Sequence, residues 1–363
     1  MKYIDEYRKR ELVEYLIEKI HKKTTGEYTL MEVCGSHTMA IHRFGLPSLL
    51  PSGIHLVSGP GCPVCVTGKR FIDQAVAYSN EENFIVTTYG DLMRVPGSVS
   101  SLEKAKAAGG DIRIIYSPLD ALNIAKSNPD KTVVFPAIGF ETTAPGTAVV
   151  VDNAERTKID NFLVLSGHKV MPPAMDALVV EGVKIDGYIC PGHVSTITGS
   201  VIYKHIPEKY GIPCVISGFE PVDILYSILM IINQIENNDP RVEIQYKRAV
   251  KPGGNPKALE FMDRIFYNDD DYWRGLGTIE NSGLKLRNKY NAYNAEYVVP
   301  IEVSAKEEDQ DCICGEILKG LKDPLDCKLF ASKCNPMNPV GACMVSSEGA
   351  CQAFYKYNRH EKI

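Results

Sequence analysis

Two short cysteine motifs near the N-terminus carry the first chemical signal. Cys34-Gly35-Ser36-His37 follows the apolar run Leu30-Met31-Glu32-Val33, and Cys62-Pro63-Val64-Cys65 follows Gly59-Pro60-Gly61. Each is expected where a strand runs out into a loop. A thiol at the start of a helix is a more stable thiolate, because free amides and the helix dipole favour the anion. The thiolate is both the nucleophile and the metal ligand, so Cys34, with His37 one turn on, is a candidate for either. The alternative is a buried cysteine at a strand end. A Cys-x-x-Cys between strand and helix is the setting in which a dithiol cycles with its disulfide. Half of a zinc site competes with that reading for Cys62 and Cys65. No second Cys-x-x-Cys exists to complete a zinc ribbon.

A third group lies near the C-terminus. Cys312, Cys327, Cys334 and Cys351 are separated by 14, 6 and 16 residues. Four thiolates are what an iron–sulfur cubane needs, although these gaps match neither a ferredoxin run nor a zinc ribbon. Cys314 and Cys343 are further candidates in the same segment, and Cys190 and Cys214 read as core residues. Glu141, in Gly139-Phe140-Glu141-Thr142-Thr143, and His193, in Pro191-Gly192-His193-Val194-Ser195, are also expected at strand ends. There they would bind a ligand or move a proton, or else cap a helix. His168 is a weaker candidate of the same type; His42, His55 and His205 read as ordinary. No phosphate-binding glycine loop or dinucleotide fingerprint is present.

The elements that must position these residues are legible up to about residue 250. Candidate strands are Tyr28–Val33, Ile54–Ser58, Phe84–Thr88, Ile112–Tyr116, Thr132–Ala137, Phe162–Leu165, Gly187–Ile189 and Pro213–Ile216. Helical patterns lie between them, which argues for parallel sheets covered by helices, with functional loops at the carboxyl ends of the strands. The loops read CGSH, GPGC, YGDL, SPLD, then GFET, SGHK, PGHV, GFEP. The two sets of four suggest two α/β domains of similar build, 1–128 and 129–250. From Lys251 the pattern changes, and 251–363 is expected to be a small cysteine-rich domain held by a metal centre, with little strand.

The bulk numbers bound the class. The chain has 363 residues, a net charge of -5 and 11 cysteines, an odd number that does not suit a disulfide framework. The charge gives no sign of nucleic acid or an anionic membrane surface. The N-terminus reads as a charged amphipathic helix rather than a signal peptide, and the longest apolar run, Ile224 to Ile232, is too short to span a bilayer. A cytoplasmic protein is expected.

Taken jointly and in order, these motifs resemble the HypD family of NiFe-hydrogenase maturation proteins over essentially the whole chain. The resemblance rests on Cys34-Gly-Ser-His37-Thr, Gly59-Pro-Gly-Cys62-Pro-Val-Cys65, Gly139-Phe-Glu-Thr-Thr143, Pro191-Gly-His-Val-Ser195 and the four spaced C-terminal cysteines. The family's first motif often carries a second histidine two residues after the first; here that position is Met39. The resemblance implies two α/β domains plus a small C-terminal 4Fe-4S domain. It implies a scaffold, formed with the small partner HypC, on which the Fe(CN)2CO group of the hydrogenase is assembled. HypE would deliver cyanide from a thiocyanate, HypF would make its carbamoyl precursor, and HypC would link the scaffold to the hydrogenase large subunit. On this resemblance Cys34 is the iron ligand and His37 tunes it or donates a proton. Cys62 and Cys65 deliver two electrons. Cys312, Cys327, Cys334 and Cys351 hold the cluster, and Glu141 and His193 line the assembly cleft. A freestanding thiol–disulfide oxidoreductase is the competing function, and a zinc-binding module is a third.

Overall fold

The computed structural model describes residues 4–304 and 311–358. Among these residues nine parallel strands form two sheets. They are β1 (Tyr28–Glu32), β2 (Ile54–Ser58), β3 (Phe84–Thr88), β4 (Ile112–Ile114), β5 (Thr132–Gly139), β6 (Phe162–His168), β7 (Gly187–Pro191), β8 (Cys214–Ser217) and β9 (Val242–Ile244). The eight expected strands are present, and the short edge strand β9 is additional. One sheet has the order β2-β1-β7-β8-β9 and the other β4-β3-β5-β6. β5 and β6 are buried along nearly their whole length, which is why they read as continuous apolar runs rather than alternating ones.

The sheets do not divide the chain at residue 128. Leu30, Met31 and Glu32 of β1 pair with Gly187, Tyr188 and Ile189 of β7, so the first sheet takes strands from both expected blocks. The second sheet, β3 to β6, is inserted between β2 and β7. The first four strands of each sheet, in chain order, are arranged second-first-third-fourth, so the two units do share one build. A parallel pair tolerates a crossover of any length, so strand periodicity cannot distinguish contiguous halves from an insertion. The similar loops Pro60-Gly61-Cys62 and Pro191-Gly192-His193 consequently lie on one sheet.

The region expected as one C-terminal domain is also divided. Phe266–Trp273 (β10) and Gly277–Leu286 (β11) form an antiparallel hairpin. Met262, Ile265, Phe266, Leu284, Leu286, Tyr290 and Tyr293 join the core of the second sheet. Most of β10 is exposed, which removes the alternation that would have revealed it. Only the segment 311–358 gathers the cysteines. Among the described residues no helix is long and apolar enough to cross a membrane.

Candidate functional site

In the first sheet the strand order reverses between β1 and β7. At such a point the loops at the carboxyl ends of the strands run off in opposite directions. Cys34 lies two residues past the end of β1 at this point and is the N-cap of the helix Gly35–Arg43. The amides of Ser36 and His37 face its sulfur, as expected for a helix start. Burial nevertheless dominates. It pushes the Cys34 thiol up to about 12, and the nearby Glu348 carboxyl adds to the shift. In this state Cys34 is a thiol, because removing water costs the anion more than two amides return.

The Gly59-Pro60-Gly61 loop lies across the backbone of Val33 and Cys34. A Cβ on Gly61 would stand 2.2 Å from the Cys34 nitrogen. The Gly35 amide donates to the Gly61 carbonyl at 3.1 Å. Gly61→Ala should therefore lift the loop off Cys34, since no rotamer relieves a clash with backbone. We expect a loss on the order of 3 kcal/mol in denaturant unfolding and faster alkylation of Cys34. Unchanged stability and labelling would show that the loop does not cross there.

Cys62 and Cys65 are joined in a disulfide with 5.2 Å between their Cα atoms. They are 3% and 0% exposed. Pro63 starts the one-turn helix Pro63–Val66 between them. That helix packs against β5 and against the turn Ala342–Met344 of the cysteine-rich segment. Arg274, at the tip of the β10–β11 hairpin, also holds it. Its amide donates to the Val66 carbonyl at 2.8 Å and its Nε to the Thr67 carbonyl at 2.9 Å.

His37 is fully buried, and its Nε2–H donates to the Gly218 carbonyl at 2.9 Å. Its Nδ1 has no hydrogen-bond partner among the described residues. Burial pulls its pKa down to about 4, so the ring is neutral. With its one N–H committed to Gly218, it offers a lone pair rather than a proton. Phe219 stacks between His37 and the exposed His193, with ring centroids 4.6 and 4.0 Å apart. The Gly218–Phe219 loop is held by Asp223, which receives both Nη atoms of Arg248 and the Gln245 amide, while Gln245 Oε1 accepts from the Gly218 amide.

Three contributors were not singled out from sequence. Phe219 sits in the Gly-Phe-Glu-Pro loop, which was visible as a loop but without a role. Glu32 is buried beneath Cys34, accepting from Thr38 Oγ1 and from the Cys34 amide. A carboxylate inside an apolar strand was its available signal. Burial pushes Glu32 up to about 8. Glu348 accepts from Ser36 Oγ, and its backbone would block any Cβ on Gly35. Nothing local in the sequence connects it to Cys34.

Glu141 belongs to the second sheet, after β5. Its Oε1 accepts from the Met171 amide at 3.0 Å, while Oε2 is buried without a partner among the described residues. Burial raises its pKa to about 7. It lies near enough to Tyr203 to act on that hydroxyl, which in turn meets Ser195 Oγ at 3.2 Å. Glu141 and His193 follow strands of different sheets, β5 and β7.

His168 is a structural residue. Its Nε2 pairs with Thr147 Oγ1 at 2.8 Å, and burial lowers its pKa to about 4. In the unfolded chain an imidazole protonates near 6.5, so the unfolded state takes up the proton first. Unfolding free energy should therefore fall as pH drops from about 6.5 to about 4, by roughly 3 kcal/mol for this group. Denaturant titrations across that range check it. His168→Gln should flatten part of the slope, and an unchanged slope would show that His168 does not contribute.

All six cysteines of the C-terminal segment line one chamber, namely Cys312, Cys314, Cys327, Cys334, Cys343 and Cys351. Its other walls include the apolar side chains Ile317, Leu329, Phe330 and Met344. Cys314 and Cys343 approach to 2.6 Å between sulfurs. The Val340 amide donates to Cys334 Sγ at 3.4 Å. Burial pushes the Cys334 and Cys351 thiols up. Among the described residues no three His, Cys, Asp or Glu side chains converge as they would around a single ion.

Comparison with known proteins identifies the family. The family profile described as "HypD: Hydrogenase formation hypA family" matches residues 11–358. The hydrogenase maturation factor HypD of Azotobacter vinelandii is 45% identical, covering 100% of this chain and 98% of its own length. HypD2 of Bradyrhizobium diazoefficiens is 46% identical over 99% of this chain and 97% of its own. HypD of Cupriavidus necator is 43% identical over 100% and 99%. A profile match across nearly the whole chain, with full-length relatives at this identity, leaves one conclusion: the chain belongs to the HypD family of hydrogenase maturation factors.

Proposed function

We propose that this chain, with a small HypC-type partner, is the scaffold on which the Fe(CN)2CO unit of a NiFe hydrogenase is assembled. One observation carries the reading. The helix of the Cys62–Cys65 disulfide packs on the turn Ala342–Met344, which contains Cys343, while Gly61 lies directly on Cys34. Three cysteine groups, separate in sequence, thereby lie on neighbouring elements.

Cys34 is the anchor for the iron cargo. Iron carrying cyanide and CO prefers a soft thiolate. Binding the metal replaces the proton that burial otherwise keeps on the sulfur, and the Ser36 and His37 amides then face an anion. The unpartnered Nδ1 of neutral His37 can accept a hydrogen bond or a proton at the site. Cyanide arrives as a thiocyanate from HypE, downstream of HypF. The dithiol form of Cys62 and Cys65 reduces it. Two thiols become a disulfide, the carbon–sulfur bond of the thiocyanate breaks, and a thiol and hydrogen cyanide leave. HypC then passes the finished unit to the hydrogenase large subunit.

The chamber suits a 4Fe-4S cluster by its chemistry. It offers only sulfur donors, its remaining wall is largely apolar, and such ligands occupy separate corners rather than converging on one atom. Cys312, Cys327, Cys334 and Cys351 would hold it. When bound, such a cluster supplies electrons one at a time. Cys314 and Cys343 stand on the side of the chamber toward the disulfide helix, and their close sulfurs suit a second dithiol. The deep burial of Cys62 and Cys65 disfavours a freestanding oxidoreductase acting on generic protein disulfides.

Infrared spectroscopy on the protein purified without oxygen with its HypC-type partner tests the reading. Bound cyanide and CO absorb where protein is nearly silent. Both kinds of band, lost in Cys34→Ala, are expected. Their absence from an iron-replete complex would remove the scaffold role.

A further inference from the structure

We propose that Gln245 and Asp223 are positioning residues of the Cys34 site: they fix the ring of His37 in the tautomer that leaves its Nδ1 lone pair open. They act through the Gly218–Phe219 loop. That the lone pair serves an iron cargo rests on the proposed function, whereas the tautomer does not.

The hydrogen bonds run in one chain. The Gly218 carbonyl can only accept, so Nε2 of His37, at 2.9 Å from it, carries the ring proton. Which imidazole nitrogen keeps its lone pair is decided by the bond that the other makes. The Gly218 amide donates to Gln245 Oε1 at 3.1 Å, and Gln245 Nε2 donates to Asp223 Oδ1 at 2.8 Å. A carboxylate accepts only, so it holds the Gln245 side chain with its oxygen toward Gly218. Arg248 closes the chain, with Nη1 on Asp223 Oδ1 at 2.8 Å and Nη2 on Oδ2 at 2.5 Å.

Packing holds the loop as well. A Cβ on Gly218 would stand 2.4 Å from Asp223 Oδ2 and 2.8 Å from the Tyr246 ring, so the loop backbone lies against both. Tyr246 meets the Phe219 ring edge-on, with 5.9 Å between centroids, and Phe219 stacks on His37. The Arg248 guanidinium lies over Tyr246 at 4.6 Å and over Tyr7 at 3.7 Å. His37 is thus held at Nε2 and on one ring face by parts that share Asp223 and its partner Arg248.

This arrangement is more than a helix start needs. Asp223 is the third residue of the helix Pro221–Glu236, and its bond to the Glu220 amide completes a capping box. One bond is enough for that. The Asp223 side chain is nonetheless 0% exposed and fully engaged. A buried ion pair adds little stability over well-packed apolar residues; here it secures placement. Gln245 directly follows β9, so the edge strand that the sequence did not reveal delivers Gln245 and Arg248 to the loop.

Nitrogen-15 NMR of the full chain with labelled histidine reads the tautomer. The His37 signals are assigned by their loss in His37→Gln. At neutral pH the unmodified chain should show a protonated Nε2 and a bare Nδ1. Gln245→Leu removes both links but keeps the Asp223–Arg248 pair, so the fold should survive, as checked by the thermal midpoint. In this variant the two His37 signals should move toward each other as the ring gains the second tautomer. Asp223→Asn, which sets a donor against the donors of Gln245 and Arg248, should do the same. Lys247→Ala, exposed beside Gln245, should leave the signals unchanged. A proton on Nδ1 in the unmodified chain would overturn the proposal. So would unmoved His37 signals in folded Gln245→Leu. The chain alone is measured, so failure of the infrared test would remove the scaffold role without altering these signals.

Discussion

Cys34→Ala is expected to reduce hydrogenase maturation to background while leaving the fold and the iron of the C-terminal segment in place. The sulfur stands at the reversal point of the first sheet, with the amides of Ser36 and His37 toward it. The nearest thiols along the loop, Cys62 and Cys65, are paired with each other in this structure and are assigned to the electron step. The small size of the deletion argues that stability survives. One buried sulfur is removed at a strand end, which costs about 1 kcal/mol. Maturation is read as hydrogenase activity in a strain carrying the variant, and folding as the thermal midpoint of the purified protein. Normal hydrogenase activity with an intact fold would exclude Cys34 as the anchor.

Cys327→Ala is expected to have the largest effect on the protein itself. It should abolish the brown iron–sulfur chromophore and loosen the segment 311–358. That segment has few regular elements, namely the helices Cys314–Leu318 and Ala350–Tyr357 and short turns. Six of its cysteines face one chamber, so what holds it together is concentrated there. Where ligands organise a segment, the free energy of metal binding is folding free energy, and losing one ligand forfeits much of it. Iron and sulfide content and limited proteolysis measure the two parts. Full iron and sulfide in this variant would show that the ligand set is wrong and direct attention to Cys314 or Cys343. Cys314→Ala serves as the contrast. It should keep iron but break the close pair with Cys343.

The two predictions separate two of the cysteine groups. On the proposed function, the first removes the position where cargo would be held and the second the source of electrons. Glu348 couples them mechanically. It lies a few residues from Cys343 and Cys351, yet it receives Ser36 and packs on Gly35. Loosening 311–358 should therefore also disturb the helix that presents Cys34. Cys327→Ala is expected to fail in maturation for two reasons, whereas Cys34→Ala fails for one.

By itself the sequence determined what is local. Apolar runs bounded by glycine and proline marked eight strands, because a buried parallel strand needs an unbroken apolar stretch and its loop needs those residues. It also determined which residues stand at the strand ends, from Cys34 to His193, and that the C-terminal cysteines form a group. The tertiary structure decided what depends on contacts between distant residues. It assigned β1 to β7 rather than to β3, and joined the hairpin β10–β11 to the second sheet through Phe266 and Leu286. It laid Gly61 on Cys34 and stacked Phe219 between two histidines. It also decided protonation. A helix start alone would make Cys34 a thiolate and leave His37 free to donate, but burial makes one a thiol and the other a neutral acceptor. Strand periodicity records which face of an element is apolar. It does not record which partner covers that face, and the loss of water on covering it is the larger energy.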